Sequence, residues 1–297
     1  MDSNDSQVTK IQKYIDRMPS LSTTVTKVLE VCNTPNASPN DLNRVISLDP
    51  VLTGQVLKLI NSAYYSLPNQ ISSLARAIIM LGLNTVKNLA LSTAIISTIG
   101  KHDSFKSLPM DDFWSHSICV GVTAKALAAQ QNIPIIEREE YFVAGMLHDL
   151  GKIPLNNCFA AEYVQALQLA ELEQGPLIHA EKLLVGIDHG LSGRLIGEKW
   201  QLSDTMIQSF CFHHDPASAS SGNRSLVATV ALANLYANIY EIGSAGDLFP
   251  KASFLLDILD IVGLTWQDLG PLYNVVCGEI DKAQIFLKVA EKDRNEN

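Results

Sequence analysis

Two adjacent side chains, His148 and Asp149, follow directly on the apolar run 144–147 of this 297-residue chain. Burying an imidazole and a carboxylate at the end of an apolar helix is costly unless something pairs them. A divalent metal ion uses both, because it accepts a neutral imidazole and a carboxylate together. Any fold of this chain must therefore satisfy the pair, and five more histidines are available to gather around it: His116, His179, His189, His213 and His214.

Helical periodicity recurs along the chain, without an alternating strand pattern bounded by hairpin turns. Val25, Val28, Leu29 and Cys32 form an apolar stripe, and the preceding Ser22-Thr23-Thr24 supplies a capping residue. Further helix starts are indicated at 38–39, 49–50 and 72–73, with a stop at Gly82 and a fifth helix over 83–99. In the second half the pattern predicts helices over 110–131, 139–150, 157–173, 177–185, 189–200, 203–212, 224–242, 252–262 and 265–290. The predicted fold class is all-α.

Charge and polarity predict two domains. Residues 1–100 carry eight Lys/Arg against six Asp/Glu, whereas residues 101–297 carry fourteen against twenty-five. The most polar break in the first half, 100–109, lies where the sign of the charge changes. We therefore predict an N-terminal bundle of five helices over residues 1–105 and a C-terminal helical domain over residues 106–297.

Composition disfavours several functional classes. A net charge of −9 argues against nucleic-acid binding, which depends on phosphate neutralisation, and Lys58, Arg76 and Lys87 are too isolated to form a basic stripe. No run of eighteen apolar residues predicts a membrane span, and the acidic start is not a signal peptide. Five scattered cysteines without a CxxC pair are typical of reduced core thiols. We expect a cytoplasmic protein.

The histidines admit two interpretations. A lone histidine on an apolar helix, such as His116, is more often a hydrogen-bonded core residue than a metal ligand. The candidates nevertheless fall on four separate helical segments, and ligands from several helices are how helical cores hold metals. A divalent transition metal (Fe, Zn, Mn or Ni) is the cofactor this pattern favours.

Several strings in the chain carry a family resemblance. In the first half they are Met18-Pro19-Ser20-Leu21-Ser22, Ser47-Leu48-Asp49-Pro50-Val51-Leu52, the run 57–65 and the run 71–78. In the second half they are Phe113-Trp114-Ser115-His116-Ser117, His148-Asp149, Asp188-His189-Gly190, Trp200-Gln201-Leu202 and His213-His214. With these strings the chain resembles the HDOD domain, a relative of the HD metal-dependent phosphohydrolases and of the HD-GYP proteins.

The resemblance implies a ligand set. The metal ligands of the HD superfamily match His116, His148 and Asp149, and the closing Asp of that superfamily matches Asn234. The second-metal histidines of the HD-GYP proteins match a further set: His189, His213 and His214. If the protein is an enzyme, Asp149 and Lys152 are the catalytic candidates, with Lys152 binding a substrate phosphate. His179 matches no ligand position and is interpreted as structural.

Two departures from the family pattern bear on activity. An amide at Asn234 carries no charge, so it holds a hard cation less strongly than the carboxylate that a two-metal mechanism uses. No Gly-Tyr-Pro follows His213 and His214, which argues against cyclic di-GMP hydrolysis.

Two hypotheses of different class follow. The first is a regulatory signalling protein that acts through protein partners, without catalysis and with a residual metal site. The second is a metal-dependent phosphohydrolase acting on a nucleotide or phosphoester. The loss of an anchoring charge at Asn234 favours the first.

Overall fold

The computed structural model describes residues 2–32, 34, 37–100, 107–249 and 253–291. Over these residues every regular element is a helix, so the predicted all-α class is confirmed. The helices before residue 101 are α1 (Asp2–Arg17), α2 (Thr23–Cys32), α3 (Pro39–Ile46), α4 (Pro50–Ile60), α5 (Leu74–Leu81) and α6 (Leu83–Gly100). The next are α7 (Met110–Gln130), α8 (Arg138–Leu147), α9 (Lys152–Cys158), α10 (Ala160–Glu173), α11 (Leu177–Leu184), α12 (His189–Lys199) and α13 (Asp204–Phe212). After a 3₁₀ turn at Pro216–Ser218 come α14 (Arg224–Ile239), α15 (Ser253–Val262), α16 (Trp266–Leu269), α17 (Leu272–Ala283) and α18 (Ile285–Glu291).

Helix starts in the first half follow the capping signals of the sequence. Ser38 forms a capping box with Asp41, which satisfies two backbone N–H groups that the first turn leaves open. The Asp49 side chain accepts from the Leu52 N–H at 2.9 Å, and Ser73 caps α5. These starts confirm the sequence interpretation.

Three regions differ from the predicted helices. The helix α1 was not predicted, because its sequence is mostly polar and only a narrow stripe with Ile11 and Ile15 is buried. The single helix predicted over 265–290 is three helices. Pro271 has no N–H to continue a helix from α16, which explains the first of the two breaks. The helix predicted over 139–150 ends at Leu147, and a turn leads from it into α9.

The core of the second half is built around α7, which is buried almost all round and packs on α8, α14 and α17. Gly121 and Gly145 let α7 and α8 approach closely. A Cβ on Gly121 would lie 2.8 Å from the Phe142 carbonyl oxygen, and one on Gly145 would lie 2.9 Å from that of Val120. This close approach brings His116 of α7 beside the end of α8.

The first and last helices of the described chain each pack against the opposite half. The first-half bundle comprises α2–α6, and α18 packs against its helices α4 and α6. In return α1 packs on α9 and α12, where the Lys199 ammonium donates to the carbonyl oxygens of Ile15, Asp16 and Met18 at the end of α1. The predicted boundary between residues 105 and 106 lies outside the described residues, and the division into two domains stays a prediction.

A partly buried polar contact also joins the halves. The Tyr65 hydroxyl, after α4, donates to Glu139 Oε1 of α8 at 2.7 Å. Lys125 of α7 donates to the other oxygen of Glu139 at 2.7 Å and to the Tyr64 hydroxyl at 3.1 Å.

No single helix of the described chain is long and apolar enough to cross a membrane. One sharply bent pair, Leu74–Leu81 with Leu83–Ile99, meets the length and composition requirement only when its two helices are taken together.

Candidate metal centre

Three buried side chains from two helices form what we call the central group: His116, His148 and Asp149. His116 lies within α7, and the other two follow the last residue of α8. One donor atom from each lies within 4.8 Å of the others. Asn234 of α14 joins this group, because its Oδ1 lies 3.0 Å from His116 Nε2.

Three further side chains form the three-histidine group: His189, His213 and His214. His189 opens α12, and the other two follow α13. The Nε2 atom of His189 lies 3.2 Å from that of His213 and 3.0 Å from that of His214. The adjacent imidazoles 213 and 214 therefore both face His189, a point that the sequence left open.

Asp149 connects the two groups. Its Oδ2 lies 3.3 Å from His148 Nε2, and its Oδ1 lies 3.5 Å from His189 Nε2 and 3.6 Å from His213 Nε2. Gly151 makes this possible, since a Cβ there would overlap the carbonyl oxygen of His189. The turn after α8 can therefore pass directly against the start of α12.

The histidine tautomers leave nitrogen lone pairs facing the centre. His148 Nδ1 donates to the Gly145 carbonyl oxygen at 2.7 Å, and His213 Nδ1 donates to that of Ser209 at 2.9 Å. His189 Nδ1 donates to Glu181 at 2.6 Å. Since these oxygens only accept, each Nε2 carries the lone pair when the ring is neutral, which is how ligating histidines are oriented in metalloproteins.

These donors fit a divalent cation. His148 Nε2 and Asp149 Oδ1 are buried without a hydrogen-bond partner, as is His116 Nδ1. The lone pairs of His189 and His213 face each other at 3.2 Å, which only a cation or an added proton between them makes favourable. Ligands bound at 2.0–2.1 Å to a tetrahedral ion lie about 3.3 Å apart, close to the spacings within the three-histidine group.

Burial favours the neutral form of three of the imidazoles, His116, His213 and His214. It lowers the pKa of His116 to about 3 and that of His213 to about 4. It also lowers the pKa of His214 well below its usual range. Burial opposes the charge on His189 too, but the Glu181 carboxylate raises the pKa of that ring above its usual value. Neutral imidazole is the form that binds metal.

The buried charges leave the site acidic. Burial alone would raise the pKa of Asp149, but His148 and the Lys152 ammonium hold it well below its usual range. The buried Lys152 donates to Asp149 Oδ2 at 2.8 Å and to the Ala245 carbonyl oxygen at 2.9 Å. Its one positive charge faces three buried carboxylates, those of Asp149, Glu181 and Asp247. A divalent cation would balance the difference.

Sequence reasoning missed Glu181 and Asp247. Glu181 accepts from the Tyr163 hydroxyl at 3.1 Å, the His189 N–H at 3.0 Å and His189 Nδ1. Asp247 Oδ2 lies 3.4 Å from His214 Nε2. Both carboxylates lie far along the chain from the His-Asp pair. For Glu181, the one available signal in the sequence was its spacing of eight residues from His189, within one helical hairpin. His179, interpreted as structural, is exposed and lines the cavities beside His214.

Two cavities reach the site. One of about 90 Å³ is lined by His213, His214, Asn234 and Asp247, among others. A wider, more open one of about 550 Å³ touches the site only at His214. The central group is therefore enclosed, and His214 is the part of the site closest to solvent.

Fold and site together define an all-helical protein with a buried His/Asp donor set. The HDOD domain family matches residues 18–216, and the chain belongs to this family. An uncharacterized protein of Treponema pallidum (strain Nichols) is 23% identical over 242 residues, 82% of this chain. This chain spans 46% of the length of that relative.

Solved structures share the fold. An HDOD domain protein of unknown function from Geobacter sulfurreducens superposes with a TM-score of 0.71 at 24% identity, over 97% of this chain and 98% of its own. A candidate phosphohydrolase from Shewanella amazonensis SB2B gives a TM-score of 0.69 at 23% identity, over 95% and 98%. A candidate signal transduction protein from Marinobacter aquaeolei VT8 gives 0.72 at 19% identity, over 98% and 67%. The expected family and its fold are thus confirmed.

Proposed function

We propose that this protein is a non-catalytic signalling module that binds divalent metal at the two groups and acts through protein partners. The observation that carries the proposal is an oriented and enclosed set of metal-ligand side chains. His116, His148 and Asp149 would hold one cation with Asn234, and Asp149 would share its other oxygen with the three-histidine group. A bound cation would supply the positive charge that ties α7, α8, α12 and α13 together.

The enclosure of the central group supports a role without turnover. The cavity that reaches Asn234 has a volume of about 90 Å³. Pockets that bind drug-sized molecules have volumes of roughly 300–1,000 Å³, so a nucleotide would not reach the central group in this conformation. Lys152, the residue expected to bind a phosphate, is fully buried and engaged with Asp149.

Exposed apolar side chains beside the site support action through a protein partner. Ile239 and Tyr240, at the end of α14, and Trp266 of α16 are exposed and line one apolar groove. Leu235 lines both this groove and the cavity at Asn234. Contiguous exposed apolar surface is typical of protein contacts, and α14 connects it to the proposed metal site.

The test is metal content. Wild-type protein, purified without a tag or chelator, is compared by elemental analysis with a His148→Ala/Asp149→Ala variant and with His179→Ala, which removes an exposed imidazole outside both groups. We expect about one to two equivalents of a divalent transition metal in the wild type and in His179→Ala, and a loss in the double variant. Wild-type protein that binds no metal from Fe, Zn, Mn or Ni solutions would remove the metal-binding half of the proposal.

A metal-dependent phosphohydrolase is the second candidate function, and the wider cavity is the observation that favours it. That cavity of about 550 Å³ is lined by Lys182, Arg194 and His214, and two similar structures are described as candidate phosphohydrolases. Lys182 and Arg194 are each paired with a carboxylate, which offsets their attraction for phosphate.

A phosphoester screen on metal-loaded protein distinguishes the two functions. We expect no turnover above that of the His148→Ala/Asp149→Ala variant. Metal-dependent hydrolysis that disappears in this variant would establish the second function in place of the first.

A further inference from the structure

We infer that Asp247 is an additional metal ligand, the carboxylate that serves the three-histidine group on the side of His214. The inference rests on the proposed metal-binding function and names a residue outside the family pattern. Asp247 Oδ2 lies 3.4 Å from His214 Nε2, and the side chain is almost fully buried. Both residues line the cavity of about 90 Å³ beside Asn234.

The distance from Asp247 to His214 suits two ligands of one ion. Neighbouring ligands of a tetrahedral ion are about 3.3 Å apart when each bond is 2.0–2.1 Å long. His189 Nε2 and His214 Nε2 are 3.0 Å apart, and Asp247 Oδ2 continues that spacing at 3.4 Å. Asp149 Oδ1 lies at 3.5 and 3.6 Å from the other pair of nitrogens, those of His189 and His213. Each imidazole of the group thus has a carboxylate oxygen within ligand–ligand distance.

Charge points to the same residue. In the metal-binding form the three imidazoles are neutral, and Asp149 is shared with the central group and paired with Lys152 at 2.8 Å. Within the described residues, His214 is the group at ion-pair distance from Asp247. Asn234 contributes only an amide where the family pattern has a carboxylate, so Asp247 restores a negative charge to the pair of sites. A dication among neutral ligands gains from this charge.

The segment that carries Asp247 is fixed in place. Ser244 N–H donates to the Asp112 carbonyl oxygen at 3.0 Å, and the Ala245 carbonyl oxygen accepts from Lys152. Asp247 Oδ1 accepts from the Leu177 N–H at 3.0 Å, at the start of α11. A purely structural role as a helix cap needs only this one oxygen, which leaves Oδ2 free to face His214.

Two substitutions separate the ligand role from the cap role. Asp247→Asn keeps an oxygen for the Leu177 N–H while it removes the charge and the second carboxylate oxygen. Asp215→Asn removes an exposed carboxylate next to His214 and is the matched control. Metal affinity is measured by competition with a chromophoric chelator, and the visible spectrum of Co²⁺-loaded protein reports the ligand set without reference to activity.

We expect Asp247→Asn to bind the metal of the three-histidine group at least about 10-fold more weakly, the lower bound for losing an orienting partner. Its Co²⁺ spectrum should change, whereas Asp215→Asn should match wild type in both measurements. Equal affinity and an unchanged spectrum in a wild-type protein that binds metal would overturn this inference and leave the proposed function standing. A wild-type protein without metal affinity would overturn both. Thermal unfolding of the metal-free variants checks that Asp247→Asn remains folded.

Discussion

Glu181 should stabilise the metal-free fold as well as orient His189. It is fully buried and accepts three hydrogen bonds, one from the Tyr163 hydroxyl and two from His189. Glu181→Gln is nearly isosteric, and its amide oxygen can still accept from the His189 N–H groups while its amide donates to the tyrosine oxygen. The substitution therefore changes the strength of the three bonds more than their number.

The magnitude follows from that difference. A hydrogen bond to a charged group contributes about 1.5–3 kcal/mol and a neutral one about 0.5–1.5 kcal/mol. Losing about 1 kcal/mol at each of two or three bonds predicts a fall of about 2–3 kcal/mol in the free energy of unfolding. For chains of this size each kcal/mol shifts Tm by about 2–4 °C, so we expect a Tm lower by at least about 4 °C.

The assay is urea and thermal unfolding with chelator present, which removes any contribution from metal. Glu198→Gln is the control, because Glu198 forms an exposed pair with Arg194 and such pairs contribute about 0–1 kcal/mol. If the free energy of unfolding of Glu181→Gln lies within about 0.5 kcal/mol of the wild-type value, the three hydrogen bonds stabilise the fold less than this reasoning requires. With metal present, the same variant should lose roughly 10–100-fold in affinity, as for other residues that orient a ligating histidine.

Three further outcomes are expected. Gly151→Ala should strongly destabilise the fold and weaken metal binding, because the added Cβ would overlap the carbonyl oxygen of His189, the first residue of α12. Gly278→Ala in α17 is the control: its added Cβ meets no atom within 4 Å, and the substitution should stabilise the protein by up to about 1 kcal/mol. The urea midpoints of the two variants are compared with that of the wild type. Burial raises the pKa of the Cys119 thiol to about 12, so its alkylation, followed by mass spectrometry, should stay slow at pH 8 and accelerate only on unfolding; rapid native labelling would contradict this. Tyr65→Phe removes a donor from buried Glu139 and should cost about 1–3 kcal/mol in urea unfolding; an unchanged midpoint would show that the contact between the halves is energetically neutral.

Local signals in the sequence predicted much of the fold. The stripe behind Ser22 and the caps Ser38, Asp49 and Ser73 act within one helical turn, so they could be identified without knowing what the helix packs against. α1 was not predicted because its few apolar residues pack against α9 and α12, which lie far along the chain. The break at Pro271 was a local signal that the predicted helix over 265–290 ignored.

The site divides in the same way. The adjacent pairs His148-Asp149 and His213-His214 stand out in the sequence, because polar pairs after apolar runs need a partner. Whether the members of each pair face one point depends on how the helices α8, α12 and α13 end and pack. Glu181 is not part of such a polar pair in the sequence, and its hydrogen bond to His189 follows from the tertiary structure.

The sequence by itself determined the helical class, the family resemblance and the ligand types, because capping, periodicity and side-chain chemistry are local properties. Only the tertiary structure decided that the two groups share Asp149, that Lys152 turns inward to neutralise it, and that Asp247 reaches His214. These contacts join residues up to 64 positions apart, Asp149 and His213, and the close approach of Gly151 to His189 brings Asp149 to the start of α12.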